Sequence, residues 1–300
     1  MASIFVKPFQ TMDLKTLLKI SRPGLWLVYV WLYMWPTGGH GELAGSFKFW
    51  LGLVYCILPL NLMVYGMNDM ADLDVDAIND RKNNYMYGAK ATKQQLSEVP
   101  SIIMLTNGLP IILMAALTGK WVWYITWLLL ALLVNVAYNR RPLILSRRGP
   151  WELPCMAAGN FLVPILSCKL NNLPLPPLGS WLFHLCMLWR THIWFEIMDM
   201  YDDAKTDKRT LAVKVGHSWS CVLVLTLTSA EAVVVTGRDH AGFFNLWSLI
   251  IDAVDRAWNI ADISCGNLLG VNKRGARGPP TTYLGPFKGR QRDGKFMEAL

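Results

Sequence analysis

Two clusters of acidic residues are the part of this sequence best suited to chemistry. One reads N-D-M-A-D-L-D-V-D from Asn68, and the other reads D-M-Y-D-D from Asp199. Each contains a pair of aspartates four residues apart, Asp72 with Asp76 and Asp199 with Asp203. On a helix this spacing places both carboxylates on one face, where their like charges repel and a cation stabilises them. Such hard oxygen ligands suit Mg²⁺, which readily binds phosphates, so two facing clusters predict a magnesium-bridged diphosphate site.

The elements that carry these clusters are predicted to be membrane-spanning helices. Hydrophobic residues make up 53% of the 300 residues and charged residues only 17%. A helix needs roughly 20 apolar residues to cross a bilayer. Seven segments fit this requirement, which predicts an all-α polytopic membrane protein. The predicted spans are Ile20–Thr37, Phe47–Met67, Pro100–Leu117, Trp121–Tyr138, Leu153–Leu170, Leu178–Met198 and Ser218–Thr236.

The chain divides into four segments by composition. Residues 1–22 carry apolar residues at helical spacing with lysines between them, which predicts an amphipathic segment on the membrane surface. Residues 23–236 form the predicted transmembrane domain. Residues 237–271 include an apolar stretch interrupted by charges, which favours an interfacial helix over a spanning one. Residues 272–300 are rich in Gly, Lys and Arg, and a disordered basic tail is predicted there.

Lysine and arginine are distributed unevenly between the two sides of the predicted bundle. The segment before the first span and the loops after spans two, four and six hold sixteen, whereas the odd-numbered loops hold three. The positive-inside rule makes the even side cytoplasmic, or its stromal or matrix equivalent. Both acidic clusters follow even-numbered spans and are therefore predicted on that face. Attraction of these loops to anionic lipid explains most of the net charge of +8 without a nucleic-acid partner.

Five motifs follow one another in an order that is typical of a known family. The first motif is N-D-x-x-D-x-x-x-D at 68–76, and a second acidic motif, D-x-x-x-D at 199–203, follows four predicted helices later. Between and around them lie S-R-P-G-x-W at 21–26, Y-N-R-R-P-L at 138–143 and T-L-A-V-x-x-G at 210–216. Together these stretches resemble the UbiA superfamily of intramembrane prenyltransferases, in its first helix, its basic loop after helix four and the start of helix seven.

The resemblance implies both an architecture and a reaction. The family forms a helical bundle with a central cavity, usually of nine helices, whereas seven clear spans are found here. The implied reaction is Mg²⁺-dependent transfer of an isoprenyl group from an isoprenyl diphosphate to a lipophilic acceptor within the membrane. That acceptor would be an aromatic quinone precursor, a carotenoid or a lipid. The stretch N-D-R-K-N-N at 79–84 lacks the R-P-L of many quinone-pathway members, which favours a carotenoid or lipid.

The resemblance also assigns roles to residues. The metal ligands that it implies are Asn68, Asp72, Asp76, Asp199 and Asp203, with Asp202 and Asp207 as alternates in the second motif. The candidate diphosphate clamps are Arg22, Arg81, Lys82, Arg140 and Lys205. Each of these cations could equally be a topology signal that faces anionic lipid.

Two ionisable residues inside the sixth span complete the catalytic prediction, together with the paired aspartates. Glu196 lies one helical turn deeper than Asp199, and His192 lies a further turn deeper. Ionisable groups within a span are costly and tend to line a functional cavity. They are predicted to take a proton from the acceptor or to polarise it. The alternative is that Glu196, like the nearby Arg190, only pairs with other helices.

Other functions start from the same motifs. A membrane terpene cyclase would ionise the same diphosphate without an acceptor, and a UbiA-like protein with an altered C-terminus could be catalytically impaired. A cation transporter fits poorly, because a transport pathway needs charges at depth and both clusters lie at one face. Release of pyrophosphate separates enzyme from non-enzyme, and dependence on an acceptor separates transferase from cyclase.

Overall fold

The structure of the protein, a computed structural model, describes residues 12–79, 81–206 and 208–236. They belong to one unit of the chain, Met1–Arg238. The second unit, Asp239–Leu300, lies outside the described residues, and so do the interfacial helix and basic tail predicted there. Within the described ranges the chain forms helices and turns, with two isolated β-bridges and no strand. The predicted all-α fold class is confirmed.

Eleven helices follow one another in the described part of the chain. Short 3₁₀ turns at Pro23–Leu25, Trp35–Thr37, Gly41–Gly45 and Leu145–Arg147 lie between some of them. The helices are α1 (Leu14–Ile20), α2 (Trp26–Met34), α3 (Phe47–Ile57), α4 (Pro59–Ala71), α5 (Leu73–Ile78), α6 (Lys93–Thr118), α7 (Trp121–Asn139), α8 (Glu152–Asn171), α9 (Leu178–Lys205), α10 (Leu211–Val215) and α11 (His217–Thr236).

Five helical segments within the described ranges are long and apolar enough to cross a membrane. They are α3 with α4 as one segment, α6, α7, α8 and most of α11, and each coincides with a predicted span. The other two predicted spans differ. The α2 helix has nine residues because prolines interrupt the chain on both sides of it. The α9 helix has 28 residues but carries the second acidic motif and the ionisable residues before it, which make it more polar.

The bundle is apolar both inside and on much of its outer surface. The α9 helix packs along α11, α4 along α6 and α7 along α8, while α2 contacts α3 and α8. Tyr33 and Met114 are among the fully buried side chains. On the outer faces of α6 and α7, Met104 and Val122 are exposed by 78% and 81%. Apolar side chains exposed in such number suit a lipid environment, in which helices satisfy their own backbone groups.

A break between α3 and α4 sets the direction of the helix that carries the first acidic motif. Pro59 has no N–H to donate, and Leu58 before it keeps a distorted helical backbone (φ −112°, ψ −63°). The Asn61 side chain donates to the carbonyl of Ile57 (2.6 Å), and Asn107 of α6 donates to the carbonyl of Pro59 (2.9 Å). These two asparagine bonds give polar partners to carbonyl groups on both sides of the break inside an apolar bundle.

Candidate active site

The first acidic motif lies across the joint between α4 and α5. Asp72 is the joint residue and has non-helical backbone (φ −105°, ψ 23°). Hydrogen bonds from the Asp72 N–H to the Asn68 carbonyl (2.9 Å) and from the Asp76 N–H to the Asp72 carbonyl (2.8 Å) continue the helical path. The predicted four-residue stacking is therefore present in the backbone. The Asp72 and Asp76 carboxylates nevertheless contact different cations, so they do not form one paired ligand as they stand.

Asp76 shares its cation with the neighbouring Asp69. Lys82 Nζ lies 2.7 Å from Asp76 Oδ2 and 2.8 Å from Asp69 Oδ1. Arg22 Nη2 donates to the same Asp69 oxygen at 2.8 Å, and its guanidinium lies 4.4 Å from the centre of the Tyr65 ring. Burial raises the pKa of Asp76 to about 6, and Lys82 opposes this shift. Asp69 thus holds two of the predicted diphosphate clamps from a position that is only 1% exposed.

Asp72 meets the second acidic motif at a single lysine. Lys208 Nζ lies 3.3 Å from Asp203 Oδ1 and 3.9 Å from Asp72 Oδ2. Arg147 donates to the other oxygen of Asp72 at 3.0 Å. Burial acts to lower the pKa of Lys208, but the charges of Asp72 and Asp203 outweigh it and raise that pKa above its usual value. The two clusters therefore face each other across one cation.

The second motif has a definite register on α9. Asp203 is 3% exposed and faces the bundle, whereas Asp202 beside it pairs with Lys205 on the outside at 3.0 Å. Asp199, one helical turn earlier, forms an ion pair with Arg81 from the loop after α5. The two aspartates chosen from their spacing thus lie on the inner side of the helix. Asp207, the further candidate ligand, lies outside the described residues.

Both inner aspartates open onto a cavity in the bundle. Its volume is about 330 Å³, and it corresponds to the predicted central cavity. The polar end is formed by Arg22, Asn68, Asp199, Asp203 and Lys208. The walls are largely apolar and include Tyr29, Leu60, Trp127, Leu162, Leu188 and Phe195. This arrangement suits an amphiphile with an anionic head and a hydrocarbon tail.

His192 and Glu196 line the same cavity, deeper along α9 than Asp199. His192 Nε2 lies 3.3 Å from Glu196 Oε1 and 3.5 Å from the Tyr138 hydroxyl oxygen. Arg190, by contrast, forms a buried ion pair of 2.8 Å with Glu231 of α11. Arg190 therefore pairs with another helix, as the alternative expected, while His192 and Glu196 line the cavity.

Two of the predicted diphosphate clamps do not contact the site. The Lys205 side chain is 67% exposed, and it pairs with Asp202. Arg140 makes a long contact of 3.9 Å with the Met70 sulfur and does not line the cavity. Lys205 follows Asp203 by two residues, which is a rotation of about 200° around the helix axis, so its side chain faces the opposite way.

Arg147 and Lys208 are the site residues that sequence reasoning left unassigned. Nothing in their spacing distinguishes them from other loop cations. Their position follows from two loops that pair with each other. The Arg209 N–H donates to the Arg147 carbonyl at 3.1 Å, and the Gly149 N–H donates to the Arg209 carbonyl at 2.7 Å. This contact carries Lys208 to Asp72, and only the folded chain reveals it.

The acidic residues fit a divalent cation by the chemistry of their donors. The carboxylates of both motifs are hard oxygen ligands, and both Asp72 and Asp203 already contact the positively charged Lys208. Within the described part of the chain, no three carboxylate, imidazole or thiol groups stand close enough to form a metal centre. A metal ion would therefore replace basic side chains, and Arg81, Lys82, Arg147 and Lys208 form ion pairs with predicted ligands.

Comparison with known proteins agrees with this geometry. The UbiA prenyltransferase family matches residues 25–259. A lycopene elongase/hydratase of Corynebacterium glutamicum is 26% identical over 263 residues, which cover 84% of this chain and 88% of that protein. A lycopene elongase/hydratase of Haloarcula japonica is 28% identical over 232 residues, which cover 73% of this chain and 74% of that protein.

The fold also has a solved counterpart. A UbiA homolog from Archaeoglobus fulgidus bound to DMAPP and Mg²⁺ matches with a TM-score of 0.63 at 16% sequence identity. The match covers 83% of this chain and 87% of that one, and it shows that the folds are alike. The family match includes both acidic motifs and the helices that carry them. The chain therefore belongs to the UbiA prenyltransferase family and is an integral membrane prenyltransferase.

Proposed function

We propose that this protein transfers an isoprenyl group from an isoprenyl diphosphate to a carotenoid within the membrane, with Mg²⁺ as cofactor. The observation that carries the proposal is the contact of Asp72 and Asp203 with one cation, Lys208, beside the polar end of an apolar cavity. That end would hold the diphosphate, and the cavity would hold the prenyl chain.

The metal ligands would come from both acidic motifs. Asn68, Asp72, Asp199 and Asp203 lie at or beside the polar end of the cavity and supply oxygen donors. Asp76 is proposed to join them once Lys82 leaves it, and Asp207 stays an alternative ligand. When bound, Mg²⁺ neutralises the charge that develops on the departing pyrophosphate.

Basic side chains released from these carboxylates would clamp the diphosphate. Arg22, Arg81 and Lys82 each contact an aspartate of the two motifs. A bound diphosphate offers them an anionic partner of higher charge, and charge-assisted hydrogen bonds to it strengthen as the bond to the prenyl carbon breaks. The apolar walls keep water away from the allyl cation that remains.

The carotenoid acceptor is proposed on two grounds. The relatives named above are lycopene elongase/hydratases, and residues 79–84 lack the stretch of many quinone-pathway members. The aromatic side chains Tyr29, Trp127 and Phe195 in the cavity wall suit a polyene and stabilise a cation through their ring faces. A double bond of the polyene would supply the electron pair that attacks the allyl cation.

Turnover by the purified full chain in lipid nanodiscs tests this proposal. Isoprenyl diphosphates of several lengths are offered with Mg²⁺ and with lycopene, an aromatic quinone precursor or a membrane lipid as acceptor. We expect pyrophosphate release together with a prenylated carotenoid identified by mass. Equal release without any acceptor would indicate a cyclase, and release with only another acceptor would exclude the carotenoid. No release at all would favour a catalytically impaired protein.

We further propose that residues 23–236 contain the catalytic bundle and that residues 272–300 take no part in the chemistry. The family match ends at residue 259, before the basic tail. Deletion of 272–300 should leave pyrophosphate release within about threefold of the full chain, because low-complexity termini rarely contribute to a core. Deletion of everything after Thr236 should remove most of the activity. An inactive shorter deletion would contradict this division.

A further inference from the structure

Two buried glutamates meet beside the cavity. Glu152, at the start of α8, is 0% exposed, and Glu196 of α9 is 5% exposed. Two consecutive backbone N–H groups of α10 donate hydrogen bonds to these glutamates. Leu211 donates to Glu152 Oε1 at 2.7 Å, and Ala212 donates to Glu196 Oε2 at 3.1 Å. The second oxygen of Glu152, Oε2, is buried without a hydrogen-bond donor. One short helix therefore holds two carboxyl groups side by side.

Their hydrogen bonds to the adjacent N–H groups of Leu211 and Ala212 bring the two carboxyl groups together. A carboxylate only accepts hydrogen bonds, so two carboxyl groups can bond to each other only when one of them carries a proton. Two bare carboxylates in this position would repel each other inside an apolar bundle at high cost. A single shared proton removes that repulsion and leaves the pair with one negative charge.

Glu196 is the member of this pair that lines the cavity, where it contacts His192. His192 Nε2 lies 3.3 Å from Glu196 Oε1, and both side chains line the cavity, whereas Glu152 stands behind them. A neutral imidazole that donates its Nε2–H to the Glu196 carboxylate keeps its lone pair on Nδ1. A proton taken up at Nδ1 would create an imidazolium directly beside the negative pair.

Prenyl transfer to a polyene needs such a proton acceptor. The C–O bond of the donor breaks with loss of pyrophosphate, a C–C bond forms to the polyene, and a carbocation remains on the acceptor. That cation is quenched when a neighbouring C–H bond loses its proton and forms a double bond. Alternatively, water adds and the new C–O bond is kept while the added oxygen loses one proton. Either ending releases one proton for each prenyl group transferred.

We propose that His192 accepts this proton and that Glu152 and Glu196, which share one proton, position His192 and balance its charge. The proposal rests on the proposed function, since it concerns the last step of transfer to an unsaturated acceptor. His192 is the catalytic residue, because it lines the cavity. Glu152 is a positioning residue that acts through Glu196, and it had no sequence signal because it lies in a different helix.

The shared proton has a spectroscopic signature that does not depend on turnover. The infrared spectrum of the purified protein should contain the carbonyl stretch of a buried protonated carboxyl group. This band should disappear in both Glu152→Gln and Glu196→Gln, because either amide can donate to the remaining carboxylate and make the proton unnecessary. Glu98→Gln is the matched control, since Glu98 also accepts a hydrogen bond from the backbone N–H of a residue distant in sequence, Met12, at 3.3 Å. A band that is absent, or that persists in either variant, would overturn the shared proton.

The role in proton transfer is tested by comparing two products of one reaction. Pyrophosphate release reports ionisation of the donor, and prenylated carotenoid reports completion. His192→Phe should lower carotenoid formed per pyrophosphate by about 100-fold, the usual scale for loss of a general base. Glu152→Leu should lower it by about tenfold, and Glu152→Gln should recover most of that loss because it keeps the bonds to Leu211 and Glu196.

The outcomes separate this inference from the proposed function. If the wild type makes no prenylated carotenoid, the proposed acceptor fails, while the infrared test still decides the shared proton. If the wild type does make it and His192→Phe leaves the ratio of the two products unchanged, the proton-transfer role is wrong. A Glu152→Gln variant no better than Glu152→Leu would show that the second carboxyl group does not act through a hydrogen bond.

Discussion

Among single residues, the site consists of carboxylates that are paired with basic side chains. Asp72 and Asp203 contact Lys208, Asp199 contacts Arg81, and Asp76 contacts Lys82. Each pair joins a predicted ligand to a basic side chain, which a metal ion would displace and a diphosphate would attract. Two neighbours on α9, Asp202 and Asp203, show how strongly orientation determines the role of a residue, since one faces solvent or lipid and the other faces the cavity.

Asp203→Asn should reduce pyrophosphate release by about 100-fold or more, because a neutral amide is a poor ligand for Mg²⁺ and leaves Lys208 without its nearer partner. Asp202→Asn is the matched control and should stay within about twofold, since exposed pairs such as Asp202 with Lys205 contribute little. The measurement is pyrophosphate release against Mg²⁺ concentration. Equal sensitivity of the two positions would show that the register of the second motif is wrong.

Lys208→Met should destabilise the protein most when Mg²⁺ is absent. Removing one partner of a buried charge group leaves Asp72 and Asp203 repelling each other, at a cost of about 3 to 5 kcal/mol. A magnesium ion can supply the missing positive charge, so Mg²⁺ should raise the unfolding temperature of this variant more than that of the wild type. Lys205→Met should behave as wild type. Thermal unfolding with and without Mg²⁺ measures both, and an identical Mg²⁺ response in all three proteins would contradict the shared site.

At the scale of elements, the contact between two loops assembles the site. The loop after α7 carries Arg147, the segment before α10 carries Lys208, and backbone hydrogen bonds at Gly149 and Arg209 join them. An isolated parallel bridge between Arg148 and Arg209 marks the same contact. Because these hydrogen bonds join backbone to backbone, the geometry of the site depends on how closely the two loops approach each other.

Gly149→Ala should disrupt this approach. A Cβ at position 149 would lie 2.6 Å from the Thr210 carbonyl carbon, and backbone cannot move aside as a flexible side chain can. We expect a loss of about 2 kcal/mol in the free energy of unfolding and a loss of most activity. Gly108→Ala, in the open on α6, is the control and should be neutral or slightly stabilising. Thermal unfolding and pyrophosphate release in both variants measure the difference. A fully active Gly149→Ala would exclude loop pairing as a requirement.

At the scale of the whole molecule, α9 links the two ends of the bundle. Its 28 residues span about 42 Å, which exceeds the roughly 30 Å of a bilayer core. The second acidic motif lies at its C-terminal end, where Lys208 brings it to the first motif. Both motifs therefore belong to one end of the bundle, and the positive-inside count predicts that this end is cytoplasmic.

Cysteine labelling in sealed vesicles tests this orientation. Lys205 is 67% exposed, and Leu175, in the turn before the other end of α9, is 62% exposed. In a background without the six native cysteines, a membrane-impermeant reagent should label Lys205→Cys from the cytoplasmic side and Leu175→Cys from the opposite side. Labelling of both positions from one side would show that α9 does not span the membrane, and the reverse pattern would invert the topology.

The fold class and the principal candidates in the site could be predicted from local sequence patterns alone. Apolar runs long enough to cross a bilayer predict helices whatever their partners are, because each helix satisfies its own backbone. Aspartates four residues apart on one helix lie on one face for the same local reason, so Asp199 and Asp203 could be chosen without a structure. The family resemblance rested on such local motifs, and the family match confirms it.

Which charged side chains contact each other depends on the folded structure. Lys208, Arg147 and Glu152 reach the site from loops and helices far apart in sequence, and a loop cation has no periodicity that indicates where it points. Arg140 and Lys205 carry the same charge as the clamps that do contact the motifs, but their side chains face away from the cavity. The energy of a charged pair depends on distance and burial, and both are properties of the folded chain.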